Sequence, residues 1–190
     1  ATKKLGTLLT HISSDTKSFH GAVNPPVHRA STIAFNTFEE FDNRAQSNSP
    51  YGRDGTPTSA AFENAIAALE GAAGSISTPS GLSAIAAALM AFTKTGDHVL
   101  IADNVYGPTR KFCTETLSKY GVEVEYYPPM IGAEIKKLFR KNTRVLFIEA
   151  PGSLSFEVCD IGALAAAARA ANVTTIMDNS WATPLLFKPL

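Results

Sequence analysis

Four short segments carry the side chains best suited to chemistry, and each follows an apolar run. Thr78-Pro79-Ser80-Gly81-Leu82 follows the first and Asp103-Asn104-Val105-Tyr106-Gly107 the second. Ala150-Pro151-Gly152-Ser153 follows the third and Asp178-Asn179-Ser180-Trp181 the fourth. Ser80-Gly81-Leu82 leads directly into a predicted helix. The first N–H groups of a helix have no partners within it, and its macrodipole favours negative charge there. This turn can therefore receive a phosphate; an ordinary strand-to-helix turn is the alternative. Tyr106 sits past a strand end, where its ring can stack on a flat heterocycle or pack on the neighbouring helix. Asp178 ends the apolar run Val173-Thr174-Thr175-Ile176-Met177, where a carboxylate is costly to bury unless a cation or donors meet it. A protonated pyridine nitrogen would meet it and would keep the ring a strong electron sink. An N-cap for a following helix is the other role open to Asp178. Earlier in the chain, Tyr51-Gly52-Arg53 offers a hydroxyl and a planar guanidinium to a phosphate, or is a solvated turn.

Other chemistries find less support. His11, His20, His28 and His98 show no metal-ligand spacing. Ser13-Ser14 and Ser153 have no nearby histidine to form a nucleophile–base pair. Cys113 and Cys159 are isolated, which suggests neither a disulfide framework nor a zinc knuckle. Seventeen basic residues balance seventeen acidic ones, so neither nucleic acid nor an anionic membrane is expected to be held by charge. Apolar residues are dispersed, and no stretch reaches the roughly 18 residues of a membrane span. The N-terminus has no basic-then-apolar leader pattern, so a cytoplasmic protein is expected.

The elements that must position these groups read as α/β. Residues 1–58 hold several Asn, Ser and Pro residues and little periodicity, which predicts an extended arm with one short helix over 37–46, capped by Thr37. From residue 59 the pattern becomes regular. Helices are predicted over 59–70, with Phe62, Ile66 and Leu69 on one face and Gly71 as the stop, and over 83–92, with Ile85, Leu89 and Phe92 inward. Further helices are predicted over 108–120, 133–140 and 161–171. Strands are predicted at 75–78, 98–102, 122–127, 144–148 and 173–177, that at 122–127 alternating as a half-buried strand does and the last two buried. Alternating strand and helix is the signature of a mostly parallel sheet with helices on both faces. In such a sheet ligands bind beyond the carboxyl ends of the strands, so the four segments are expected to converge on one crevice. A dinucleotide-binding domain is a weaker alternative: no Gly-x-Gly-x-x-Gly follows the first strand, and only Asp103 ends the second with an acid.

Taken together, the segments resemble the cystathionine β-lyase branch of the Cys/Met-metabolism family, fold-type-I enzymes dependent on pyridoxal 5′-phosphate (PLP). The resemblance runs in order through Asn24-Pro25-Pro26-Val27, the stretch from Tyr51 to Thr58, Leu69-Glu70-Gly71-Ala72 and the stretch from Pro79 to Ile85. It continues through Gly96-Asp97-His98-Val99-Leu100, the stretch from Asn104 to Thr109, Glu149-Ala150-Pro151-Gly152-Ser153 and the stretch from Asp178 to Pro184. It implies that Gly81 and Leu82 donate backbone N–H groups to the PLP phosphate, and that Tyr51 and Arg53 reach that phosphate from a partner subunit. Tyr106 would stack on the ring and assist proton movements, Asp178 would pair with the pyridine nitrogen, and Ser180 would join the cofactor-binding set. Pro151-Gly152-Ser153, where γ-acting members commonly have Pro-Thr-Asn, looks like the β-lyase side, as does Asn179-Ser180-Trp181.

The implied activity is cleavage of an amino-acid thioether, L-cystathionine, to homocysteine, pyruvate and ammonia, in methionine biosynthesis. A γ-acting relative or a non-catalytic PLP-binding remnant are the alternatives. The implied assembly is a dimer sharing active sites, paired into a tetramer. In the family a lysine joined to the cofactor gives way to substrate and then removes its α-proton. That lysine belongs to a Thr-Lys-Tyr-like segment beyond Asp178, and Phe187-Lys188-Pro189-Leu190 matches the family's connector instead. The chain is accordingly expected to be the N-terminal fragment of an enzyme, inactive by itself.

Overall fold

A computed structural model describes residues 4–12, 16–17, 19–47 and 49–190. Ser13-Ser14 lies outside the described residues. The chain forms two compact units, residues 1–77 with Leu190, and residues 78–189. The first contains α1 (Leu5–His11), α2 (Phe38–Asp42) followed by a 3-10 turn at Arg44–Gln46, and α3 (Pro57–Glu70). Thr37 caps α2 as expected, its Oγ1 accepting the Glu40 N–H at 3.1 Å, but the helix predicted over 37–46 breaks at Asn43. α3 has a reciprocal cap between Thr56 and Ser59, proline in its first turn, and Gly71 in the left-handed region at its end.

Before α3, Phe19 is the only buried side chain among the described residues. Polar ties hold this stretch where a core is lacking. The Thr58 hydroxyl donates to Pro26 O at 2.6 Å and accepts the His28 N–H at 2.8 Å, and the Gly52 N–H donates to Ser31 O at 2.8 Å. Two expectations fail in this unit. Phe62 of α3 is exposed, because only Leu69 of that helix is buried. Residues 75–78 form no strand: a strand needs a laddered neighbour, and Ser77 instead turns both its N–H and its hydroxyl to Glu63 Oε1, at 2.8 and 2.6 Å.

The second unit carries the sheet. α4 (Gly81–Ala91) leads to β1 (His98–Ala102), and α5 (Gly107–Glu115) with a 3-10 turn to Tyr120 leads to β2 (Glu123–Tyr127). A 3-10 stretch over Pro129–Leu138, broken at Gly132, stands where a helix was predicted over 133–140. β3 (Thr143–Glu149), α6 (Ile161–Ala170), β4 (Thr174–Asp178) and the single turn α7 (Thr183–Leu186) complete it. All pairings are parallel, in the order β2-β1-β3-β4. β1 and β3 lie in the middle, which is why they read as continuous apolar runs and are almost wholly buried. β4 was expected to be buried but is half-exposed, since only β3 flanks it. On the other edge, Tyr127 of β2 is fully buried and its hydroxyl donates to Phe147 O at 3.0 Å. Phe92, predicted to face inward, is 52% exposed because α4 ends at Ala91 and leaves it outside the helical face.

From β1 the chain steps outward to β2, and from β3 it steps the opposite way to β4. Right-handed crossovers then place α5 and α6 on opposite faces. In keeping with this, α4 packs on α5, while α6 packs on the 3-10 stretch before β3. The reversal makes the β1/β3 boundary the topological switch point, where a crevice opens beyond the strand ends.

Candidate functional site

The sequence-predicted groups of the second unit gather at this carboxyl edge. Tyr106 lies four residues past the end of β1 and is half-exposed. Asp178 is the last residue of β4 and pairs in register with Glu149, the last residue of β3. Ser180 is exposed, and its N–H donates to Asp178 Oδ1 at 3.0 Å, so the loop after β4 holds the carboxylate from one side. Asp178 is not a helix N-cap: α7 begins at Thr183, with Ala182 in the cap position. The N-terminus of α4 lies at the same edge, because a helix entering a parallel strand runs against it, and α4 also touches β4.

Ser80 caps α4, its Oγ accepting the Ser83 N–H at 3.1 Å. The Gly81 and Leu82 N–H groups make no hydrogen bond among the described residues, and a Cβ placed at Gly81 would meet nothing within 4 Å. Two free amides with open access at the positive end of an eleven-residue helix are the kind of donors an anion needs.

Tyr51 and Arg53 belong to the other unit. Both are exposed; the Tyr51 hydroxyl accepts from Ser31 Oγ at 3.3 Å, and the Arg53 guanidinium has no partner among the described residues. Gly52 packs so closely on Ala30 that a Cβ would overlap the Ala30 carbonyl. Asp103, the only acid at the end of β1, is ion-paired with Arg110.

Sequence reasoning gave no role to three residues that shape this edge. Glu149 is 4% exposed, and its Oε2 accepts the Tyr106 N–H at 2.8 Å. Burial pushes its carboxyl above the ordinary range; the Tyr106 and Ser153 N–H groups oppose this and the charge of Asp178 adds to it. Asn104 is buried, its carbonyl accepts the Ser153 N–H at 2.8 Å, and its Nδ2 reaches Glu157 Oε2 at 3.4 Å. Gly152 lies against that side chain, where any Cβ would collide with it. The available signal was a carboxylate ending the apolar run Arg144 to Ile148, the same signal that pointed to Asp178.

Comparison with known proteins identifies the setting. Residues 6–190 match the family described as Cys/Met metabolism PLP-dependent enzyme. The chain belongs to that family. It is 50% identical over 186 residues to a putative cystathionine β-lyase of Rhizobium johnstonii, covering 98% of this chain and 47% of that protein. It is 42% identical over 185 residues to an L-alanine/L-glutamate racemase of Wolbachia pipientis, covering 90% and 45%. Among solved structures, a cystathionine γ-lyase of Lactobacillus plantarum, complexed with L-serine, superposes with a TM-score of 0.89 at 30% identity, covering 98% of this chain and 47% of that one. The chain thus spans about half the length of the curated relatives it matches. The fold is that of the PLP fold-type-I enzymes.

The residues present fit the family's cofactor. An amide pair open to an anion, a half-exposed aromatic ring and a carboxylate with one oxygen already fixed by Ser180 stand at one edge of one sheet. These are the three kinds of partner that a phosphate, a flat ring and a protonated ring nitrogen require.

Proposed function

We propose that the complete protein is a PLP-dependent carbon–sulfur β-lyase that cleaves L-cystathionine to homocysteine, pyruvate and ammonia. The observation that carries the proposal is the gathering of Gly81, Leu82, Tyr106 and Asp178 at the switch-point edge of one parallel sheet. When bound, PLP supplies an electron sink for the pair left at Cα once the α-proton is removed. The Gly81 and Leu82 amides hold the phosphate, and Arg53 with Tyr51, contributed from a second subunit, closes around it. Asp178 keeps a proton on the ring nitrogen, and its orientation is fixed by the Ser180 N–H. The half-exposed Tyr106 ring would stack on the bound cofactor, and its hydroxyl would assist proton movement during loss of the thiolate. The α-proton base is a family lysine beyond Leu190, so residues 1–190 alone turn over no substrate. The enzyme is a cytoplasmic homotetramer built from dimers that share active sites.

Support for β- over γ-chemistry comes from Pro151-Gly152-Ser153 and from the 50% identity to a putative cystathionine β-lyase. The γ-lyase and racemase similarities define the competing outcomes. The complete protein is incubated with L-cystathionine, and separately with L-alanine, and the products are resolved. Pyruvate with homocysteine is expected. Formation of 2-oxobutyrate with cysteine, or of D-alanine without keto acid, would replace the proposal with a γ-lyase or a racemase.

A further inference from the structure

Glu149 has no part in the chemistry proposed above, yet it touches the loop that presents Tyr106. Its carboxylate is almost entirely withdrawn from water. In register with Asp178 on the adjacent parallel strand, it leaves the same face of the sheet. Its Oε2 accepts the N–H of Tyr106, the N-cap residue of α5, whose own side chain makes no capping bond. Glu149 therefore does from a neighbouring strand what the third helical residue does in a capping box, reaching back to the N-cap amide. The Tyr106 ring is 47% exposed, so packing alone constrains it weakly, and the backbone tie lies one bond from its Cα. A leucine at position 149 would fill similar space and avoid burying a carboxyl; the Tyr106 N–H needs an acceptor there, whereas the Ser153 N–H, which also acts on this carboxylate, has the Asn104 carbonyl as a partner at 2.8 Å.

We infer that Glu149 is a positioning residue, whose carboxylate fixes the Tyr106 backbone and so sets the height and tilt of the Tyr106 ring over the cofactor. The assignment rests on the PLP site proposed above. It gives Glu149 no contact with substrate and no proton to transfer.

The test compares the complete wild-type protein with E149L and E149Q. Glutamine keeps an acceptor for the Tyr106 N–H; leucine does not. PLP content, the visible circular dichroism of the bound cofactor, kcat and KM are measured on the holoprotein, and hydrogen exchange of the Tyr106 amide on the cofactor-free protein. E149L is expected to retain PLP, lose most of the visible dichroism, and drop in kcat by about 10- to 100-fold with KM little changed. Its Tyr106 amide exchanges faster, and E149Q recovers most of the dichroism and the protection. Wild-type dichroism and kcat in E149L would overturn the inference, as would E149Q failing as badly as E149L, since charge and not an acceptor would then matter. A wild-type protein that takes up no PLP would instead sink the proposed function; the exchange measurement still decides whether Glu149 holds Tyr106.

Discussion

The two carboxylates that end neighbouring strands differ in what surrounds them, and so in what their replacement does. Asp178 is half-buried, with one oxygen taken by the Ser180 N–H. D178N keeps an acceptor for that amide and removes only the charge, so the loop survives while a protonated ring nitrogen loses its counter-ion. PLP retention in the complete protein is expected to weaken by about 1.5–3 kcal/mol, the worth of a hydrogen bond to a charged group. Absorbance-monitored titration of the cofactor-free protein with PLP measures it; unchanged affinity would remove Asp178 from the site. Glu149 is buried, and its folded-state pKa lies above the ordinary 4.5 because of burial, with Asp178 adding to the shift. The folded protein therefore holds this proton more firmly than the unfolded chain does. That contribution to stability is fully present below the ordinary carboxylate range and is lost as pH rises through the raised value. E149Q has no such proton to lose, so its melting temperature relative to wild type should rise from acid to neutral pH. Thermal melts of both proteins across that window check the sign, and a difference that falls with pH would contradict the buried, raised carboxyl.

At the scale of elements, the central strands were legible in sequence and the margins were not. β1 and β3 were read from apolar runs because both faces of a central parallel strand are covered, so burial follows composition directly. Of the candidate site, the place of Tyr106 past β1 and of Asp178 at the end of β4 was legible from the strands before them, and that of Gly81 from the helix it opens. Glu149 was not, because its partner is a backbone amide 43 residues away, which no local pattern records. Residues 75–78 and Phe92 were misread where local pattern depends on a neighbour, respectively a strand to pair with and a helix long enough to carry the face. A second long-range tie pins the opposite edge of the sheet. Pairing between β1 and β3 shifts register between His98 and Val99, where Arg144 is passed over. At that point Thr143 Oγ1 meets His98 Nδ1 at 2.8 Å and accepts the Arg140 N–H at 2.7 Å, with His98 fully buried. T143V keeps the shape but strands both groups, and should cost about 1–3 kcal/mol. Denaturant melts of the complete protein measure the loss, which should leave kcat near wild type because this end lies opposite the carboxyl edge.

For the whole molecule the question is which part of the enzyme's work residues 1–190 perform. In the proposed function they would supply the phosphate amides, the ring contact and the ring-nitrogen partner, all on the unit that carries the sheet, while the base comes from elsewhere. Lys188, the lysine nearest Asp178 in sequence, follows α7 in an exposed segment next to Pro189. The chain also leaves many large apolar side chains uncovered, among them Leu154 at 91% and Leu186 at 83% exposure, and the outer edge of β4 pairs with no strand among the described residues. Uncovered apolar surface and an open strand edge are the features that drive self-association. Residues 1–190 produced alone should therefore bind a hydrophobic dye strongly and associate with rising concentration, and the complete protein should do neither. Borohydride treatment then separates the parts chemically, because only a lysine joined to PLP as an imine becomes irreversibly labelled. In the complete protein the pyridoxyl label should map to a peptide outside residues 1–190, and residues 1–190 alone, incubated with PLP and reduced, should carry none at stoichiometric yield. A stoichiometric label on Lys188 would place the covalent centre inside this chain and would overturn the division of labour proposed for the two halves of the enzyme.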